Sequence, residues 1–118
     1  MTENKKTESG RLKNDILYND TLHYEFEIRL PVMRDTSSAL EQTEEAYGQI
    51  EGYTANTFYR QAVLSSAIVS LGDIPKDDIT PVLFMEELTE DDYDEFQSAI
   101  ARLKVKRNGG NPASPDSV

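Results

Sequence analysis

The chain has 118 residues, enough for about one domain. Its 22 acidic and 12 basic residues leave a formal charge of −10, which argues against nucleic acids and anionic membranes as partners. With no cysteine and a single histidine, disulfides, thiol chemistry and the usual tetrahedral zinc sites fall away.

The opening residues, Met1 to Lys6, lead into polar sequence without an apolar run, so no signal peptide is expected. Residues 1–14 are polar and charged and read as a disordered arm. From Leu22 to Val32 the apolar residues alternate: Leu22, Tyr24, Phe26, Ile28, Leu30, Val32. His23, Glu25, Glu27 and Arg29 fill the other face, and this period of two predicts a strand with one buried side. Ile16-Leu17-Tyr18, followed by the turn pair Asn19-Asp20, predicts the other half of a hairpin.

The period then changes. Ala39, Thr43, Ala46, Tyr47 and Ile50 follow helical spacing, with Ser38 to Glu41 as a capping box and Gly52 as the stop. A second helix is expected from Thr57 to Leu71, ended by Gly72. Val63 and Val69 make it apolar nearly all round, which marks it as the central helix. Its stretch from Ala62 to Leu71 is broken by serines and too short to cross a bilayer.

Thr80-Pro81 opens a short helix through Leu88. Thr89 caps a last helix with Tyr93, Phe96, Ile100 and Leu103 on one face. Acids from Glu90 to Glu95 crowd its first turn, and Arg102, Lys104, Lys106 and Arg107 its last, both matching the helix dipole. Residues 108–118 read as a disordered tail. The expected fold is α+β and mainly α: a short N-terminal β-hairpin packed on a bundle of about four helices, in a single domain over residues 15–107.

A search for chemistry finds little. His23 is placed on the polar strand face, as a surface histidine with no constellation around it. No phosphate-cradling glycine loop occurs, and the acids from Asp73 to Glu95 lack the spacing and central glycine of a calcium loop. No catalytic, cofactor or metal residue is assigned, and an enzyme is not expected. Tyr47, Phe58, Phe84, Tyr93 and Phe96 fall on apolar helical faces and are expected in the core. Tyr53 and Tyr59 fit no single stripe and are candidates for partner contact, as are Asp91, Asp92 and Asp94 for a basic partner.

The order of features carries a resemblance. Arg29-Leu30-Pro31 ends the hairpin, and the apolar helix ends in Ile68-Val69-Ser70-Leu71-Gly72. Then come Ile79-Thr80-Pro81-Val82-Leu83, Leu88-Thr89, Asp91-Asp92-Tyr93 and Ala99-Ile100-Ala101-Arg102-Leu103. Over residues 14 to 107 this resembles the small tail assembly chaperones of contractile-tailed, Mu-like phages. The acidic load from Asp73 to Glu95 is heavier than that family's pattern, and the arm from Met1 to Lys13 has no counterpart in it.

The resemblance implies a host-cytoplasm protein that binds the tape-measure protein and helps recruit tail tube protein. It also implies a homo-oligomer and absence from the mature virion. A longer form made by frameshifting near Lys104 belongs to the same implication. The alternative is an acidic DNA-mimic or anti-restriction inhibitor, against which stands the concentration of acids at one helix start.

Overall fold

The computed structural model describes residues 6–108. Asn19 and Asp20 reverse the chain with φ of 52° and 61°, the left-handed geometry of a type I′ turn that Asn and Asp tolerate. This loop joins β1 (Thr7–Tyr18) to β2 (Thr21–Arg29) as an antiparallel pair. β3 (Ile68–Leu71) pairs with the other edge of β2, giving the order β1-β2-β3. The helices are α1 (Met33–Tyr47), α2 (Tyr53–Ala67), α3 (Pro81–Glu87) and α4 (Glu90–Arg107). The chain is therefore α+β and mainly helical, with a hairpin at its start and one strand more than the spacing indicates.

The expected disordered arm is corrected, because residues 7–14 are the first part of β1. Residues 1–5 and 109–118 lie outside the described residues. Charge and hydrogen bonds hold this polar segment to α4. Arg102 and Lys106 bond the Glu8 carboxylate at 2.9 and 2.7 Å, and Lys106 also donates to the Thr7 carbonyl. The bond from Lys106, with a second from Arg102, holds the Glu8 carboxyl below its ordinary range. Further along, Lys13 pairs with Glu95 at 3.3 Å. Gly10 lies under the Phe26 ring, where any Cβ would overlap it.

Between Arg11 and Ile16 the ladder breaks in a bulge, with Asp15 at φ 68°. Leu12, within it, and Ile16, at its end, are both buried in the core. A bulge breaks the simple alternation of faces, so the expected parity of β2 holds for Phe26 and Ile28 but not near the turn. Leu22 is exposed and His23 is buried, a correction to the surface histidine. Gly72, at φ 53°, packs directly on the imidazole, and the Asp73 N–H donates to His23 Nδ1 at 3.2 Å.

Two helix boundaries also move. α1 starts at Met33, earlier than Ser38, because Asp35 accepts the Val32 N–H at 2.7 Å and caps the first turn. Gly48, at φ 74°, ends it, so the expected stop at Gly52 belongs instead to the approach to α2. α2 ends at Ala67, and Ile68 to Leu71 leave the expected helix for the open edge of β2. An unpaired strand edge and two β-branched residues, Ile68 and Val69, outweigh the helical spacing there.

Two cations satisfy the carbonyls that this early ending exposes. Lys76 donates to the carbonyls of Ser65 (2.9 Å) and Ser66 (3.3 Å) and also to that of Ile68, while Arg29 donates to Ser66 at 2.8 Å. Burial, and then the nearby Arg29 charge, push the Lys76 ammonium below its ordinary range. Arg29 also forks onto Asp35 through bonds of 2.7 and 2.9 Å, which ties the end of β2 to the start of α1.

The Arg29 bond, with the Val32 N–H, holds the Asp35 carboxyl below its ordinary range. A carboxylate depressed in the folded state contributes stability above its unfolded pKa and loses it as pH falls through the folded one. Urea midpoints are therefore expected to fall as pH drops through and below the carboxylate range. Asp35→Asn should flatten that fall while lowering the midpoint at neutral pH. An unchanged acid slope in the variant would count against the pair.

Thr80 and Thr89 cap α3 and α4 by accepting the N–H groups of Leu83 and Asp92, both at 3.2 Å. The core runs between the sheet and α2, α3 and α4, with Phe26, Ile28, Leu64, Ile68, Phe84 and Phe96 at its centre. α1 contributes no residue to this cluster, its buried Ala39 lying outside it.

Candidate partner-binding surface

α4 packs mainly on β1 and β2, and α2 mainly on α1 and α3. The two helices therefore do not close on each other, and a groove stays open between them. Its first lobe, about 390 Å³, is lined by Leu30, Pro31, Tyr59, Val63, Leu64 and Ile100, with Gln97 and Lys104. A second lobe, about 530 Å³, runs past Thr57, Gln61, Phe84, Met85 and Leu88 to Thr89, Glu90 and Asp94. Arg60 and Tyr93 line both, and the Arg60 guanidinium stands 5.8 Å from the Tyr93 ring centre. The first lobe is mainly apolar, the second mixes apolar with polar side chains, and the ends are charged: acids at the start of α4, Lys104 towards its end.

Gln61 is 7% exposed, and its Oε1 has no hydrogen-bond partner among the described residues. A buried, unpaired acceptor costs about 1–3 kcal/mol.

The five residues read from sequence as partner contacts do not form one site. Tyr59 lines the first lobe and Asp94 the rim of the second. Tyr53 opens α2 and is 95% exposed, away from the groove lining. Asp91 is exposed on the first turn of α4. Asp92 is the correction, being 0% exposed. Its Oδ1 accepts the Lys13 N–H at 2.7 Å and its Oδ2 the Asn14 N–H at 3.0 Å, so it serves the β1 bulge and not a partner.

The groove residues that sequence reasoning missed include Arg60, Gln61, Met85 and Gln97. One signal was visible: α2 carries apolar residues on more faces than a core of this size can cover. Val63 faces the groove for that reason, half-buried.

Further exposed apolar side chains lie on α1, at the start of α2 and in the loop between them. The contact between the two helices uses small side chains, Ala39, Thr43, Ala55 and Ala62, all buried. Tyr47 meets Phe58 edge-on at 5.4 Å but is exposed at its rim, so its expected core position is corrected. Met33, Leu40, Ile50 and Tyr53 point outward with it, Met33 at 81% exposure.

The acids from Asp73 to Glu95 are divided in use. Asp92 is internal, Asp78 accepts the Tyr18 hydroxyl and Glu95 pairs with Lys13. The Asp78 carboxylate keeps the Tyr18 phenol protonated to higher pH than usual. Among the described residues no three histidine or carboxylate side chains gather to hold a metal ion. No helix of the described residues is long and apolar enough to cross a membrane. No family model, curated protein or solved structure matches this chain.

Proposed function

We propose that this chain is a non-enzymatic tail assembly chaperone of a contractile-tailed phage. It binds the tape-measure protein in the host cytoplasm, helps recruit tail tube protein, self-associates reversibly and leaves before the virion is complete. The observation that carries the reading is apolar surface left open on a chain of charge −10, in the α2–α4 groove and on α1 and the start of α2. Contiguous exposed apolar surface on a small chain marks a protein-binding site, and the charge keeps the free form soluble. The order of sequence features from Arg29-Leu30-Pro31 to Ala99–Leu103 supplies the family resemblance.

The test is co-expression with the tape-measure protein encoded in the same genome. The tape measure should move from the pellet to the soluble fraction and be recovered in complex with this chain. A tape measure that stays insoluble, with no complex at low salt, would overturn the reading.

A further inference from the structure

We infer that the α2–α4 groove is the docking site for one amphipathic helix, which lies antiparallel to α4 with its acidic first turn at Lys104 and its basic last turn at Glu90, Asp94 and Gln61. The inference deepens the reading above and rests on it in one respect, that this chain acts by binding proteins. Length comes first. Glu90 and Lys104 are separated along α4 by roughly 21 Å at 1.5 Å per residue, which matches a helix of about fourteen residues. The apolar residues spaced along the groove, among them Val63, Leu64, Ile100, Phe84 and Leu88, take the i, i+3, i+4, i+7 face of an amphipathic helix.

Charge sets the direction. An α-helix prefers acids in its first turn and bases in its last, so the two ends of the groove fit a helix running opposite to α4. Antiparallel packing also opposes the two macrodipoles. Glu90, Asp94 and Lys104 are all exposed and free to meet incoming charge. A lysine, arginine or amide in the partner's last turn supplies the N–H donor that Gln61 Oε1 lacks. The helix dipoles, the end charges and Gln61 thus agree on one orientation.

The probe is a pair of dye-labelled synthetic sixteen-residue amphipathic peptides with the same leucine face. One carries glutamates in its first turn and lysines in its last, and the other has these charges exchanged. Fluorescence anisotropy with the full chain should give at least tenfold tighter binding for the first peptide at low salt. The triple variant Glu90→Lys/Asp94→Lys/Lys104→Glu changes exposed positions only and should invert the preference. Gln61→Met should raise the melting temperature, because a buried unpaired acceptor is removed, yet weaken the first peptide several-fold. A merely structural glutamine would not give those opposite signs.

Equal affinity for both peptides, or a preference that the triple variant leaves unchanged, overturns the inference. So does Gln61→Met binding as tightly as the parent. The tape-measure experiment fails separately. If the peptides behave as stated but no tape-measure complex forms, the groove stands and the chaperone reading falls. If the triple variant and Val63→Asp both capture the tape measure like the parent, the chaperone reading stands and the groove does not.

Discussion

Phe96→Ala is expected to lower the unfolding free energy by about 3–5 kcal/mol, the range for a buried aromatic truncated to alanine. Phe96 is fully buried at the junction of three elements. Its ring meets Phe26 of β2 edge-on at 4.5 Å and stacks on Phe84 of α3 at 5.8 Å. Truncation removes both aromatic pairs and leaves a void that a sheet on one side and two helices on the other cannot easily close. A domain of this size has total stability of about 5–15 kcal/mol, so the loss is a large share.

The readout is the urea midpoint and the melting temperature of the full chain. A drop of about 12 °C or more is expected, since each kcal/mol is worth about 4–8 °C in a small domain. Phe96→Leu, which keeps most of the volume, should lose less. A Phe96→Ala variant melting within a degree or two of the parent would place Phe96 outside the core.

The features legible in the sequence are those whose causes are local. Thr80 and Thr89 mark helix starts because a cap needs only the N–H groups of the next turn. Asn19-Asp20 marks the hairpin because the turn geometry itself selects those residue types. Phe26, Ile28, Phe96 and Ile100 are legible as core because periodicity reports which side faces inward.

The features that were not legible depend on residues far along the chain. Thr7 to Asn14 look disordered by composition, yet Arg102, Lys106 and Glu95 hold them from α4. Ile68 to Leu71 fit a helix until the open edge of β2 is known. His23 is buried where Gly72 and Asp73 return over it and the Tyr18 ring meets it edge-on. The groove shares this origin. Its walls come from two helices that each find a better partner elsewhere, so the surplus of apolar faces on α2 is the one hint of it. Gln61 becomes noticeable only when its carbonyl is seen to lack a donor.

Asp92 shows how much one position in a run of similar residues can differ from its neighbours. In sequence it is one of the acids from Glu90 to Glu95 and indistinguishable from Asp91 or Asp94. In the fold its carboxylate is the acceptor for two consecutive backbone N–H groups, Lys13 and Asn14, where the β1 ladder is interrupted. A bulge leaves amides without a strand partner, and a buried amide must find one. Asp92→Ala removes the acceptor and strands both, at about 1–3 kcal/mol for each. The expected loss is therefore about 3–5 kcal/mol, nearly that of Phe96→Ala, although no apolar contact is lost. Asp92→Asn retains a single acceptor oxygen and should lose less. Hydrogen exchange provides the specific readout, with the Lys13 and Asn14 amides losing protection in Asp92→Ala well before the rest of β1. Asp94→Asn, at the exposed groove rim, should leave both stability and those amides unchanged. If Asp92→Ala were as harmless as Asp94→Asn, the carboxylate would belong to the solvated helix terminus and the bulge would be held by other means.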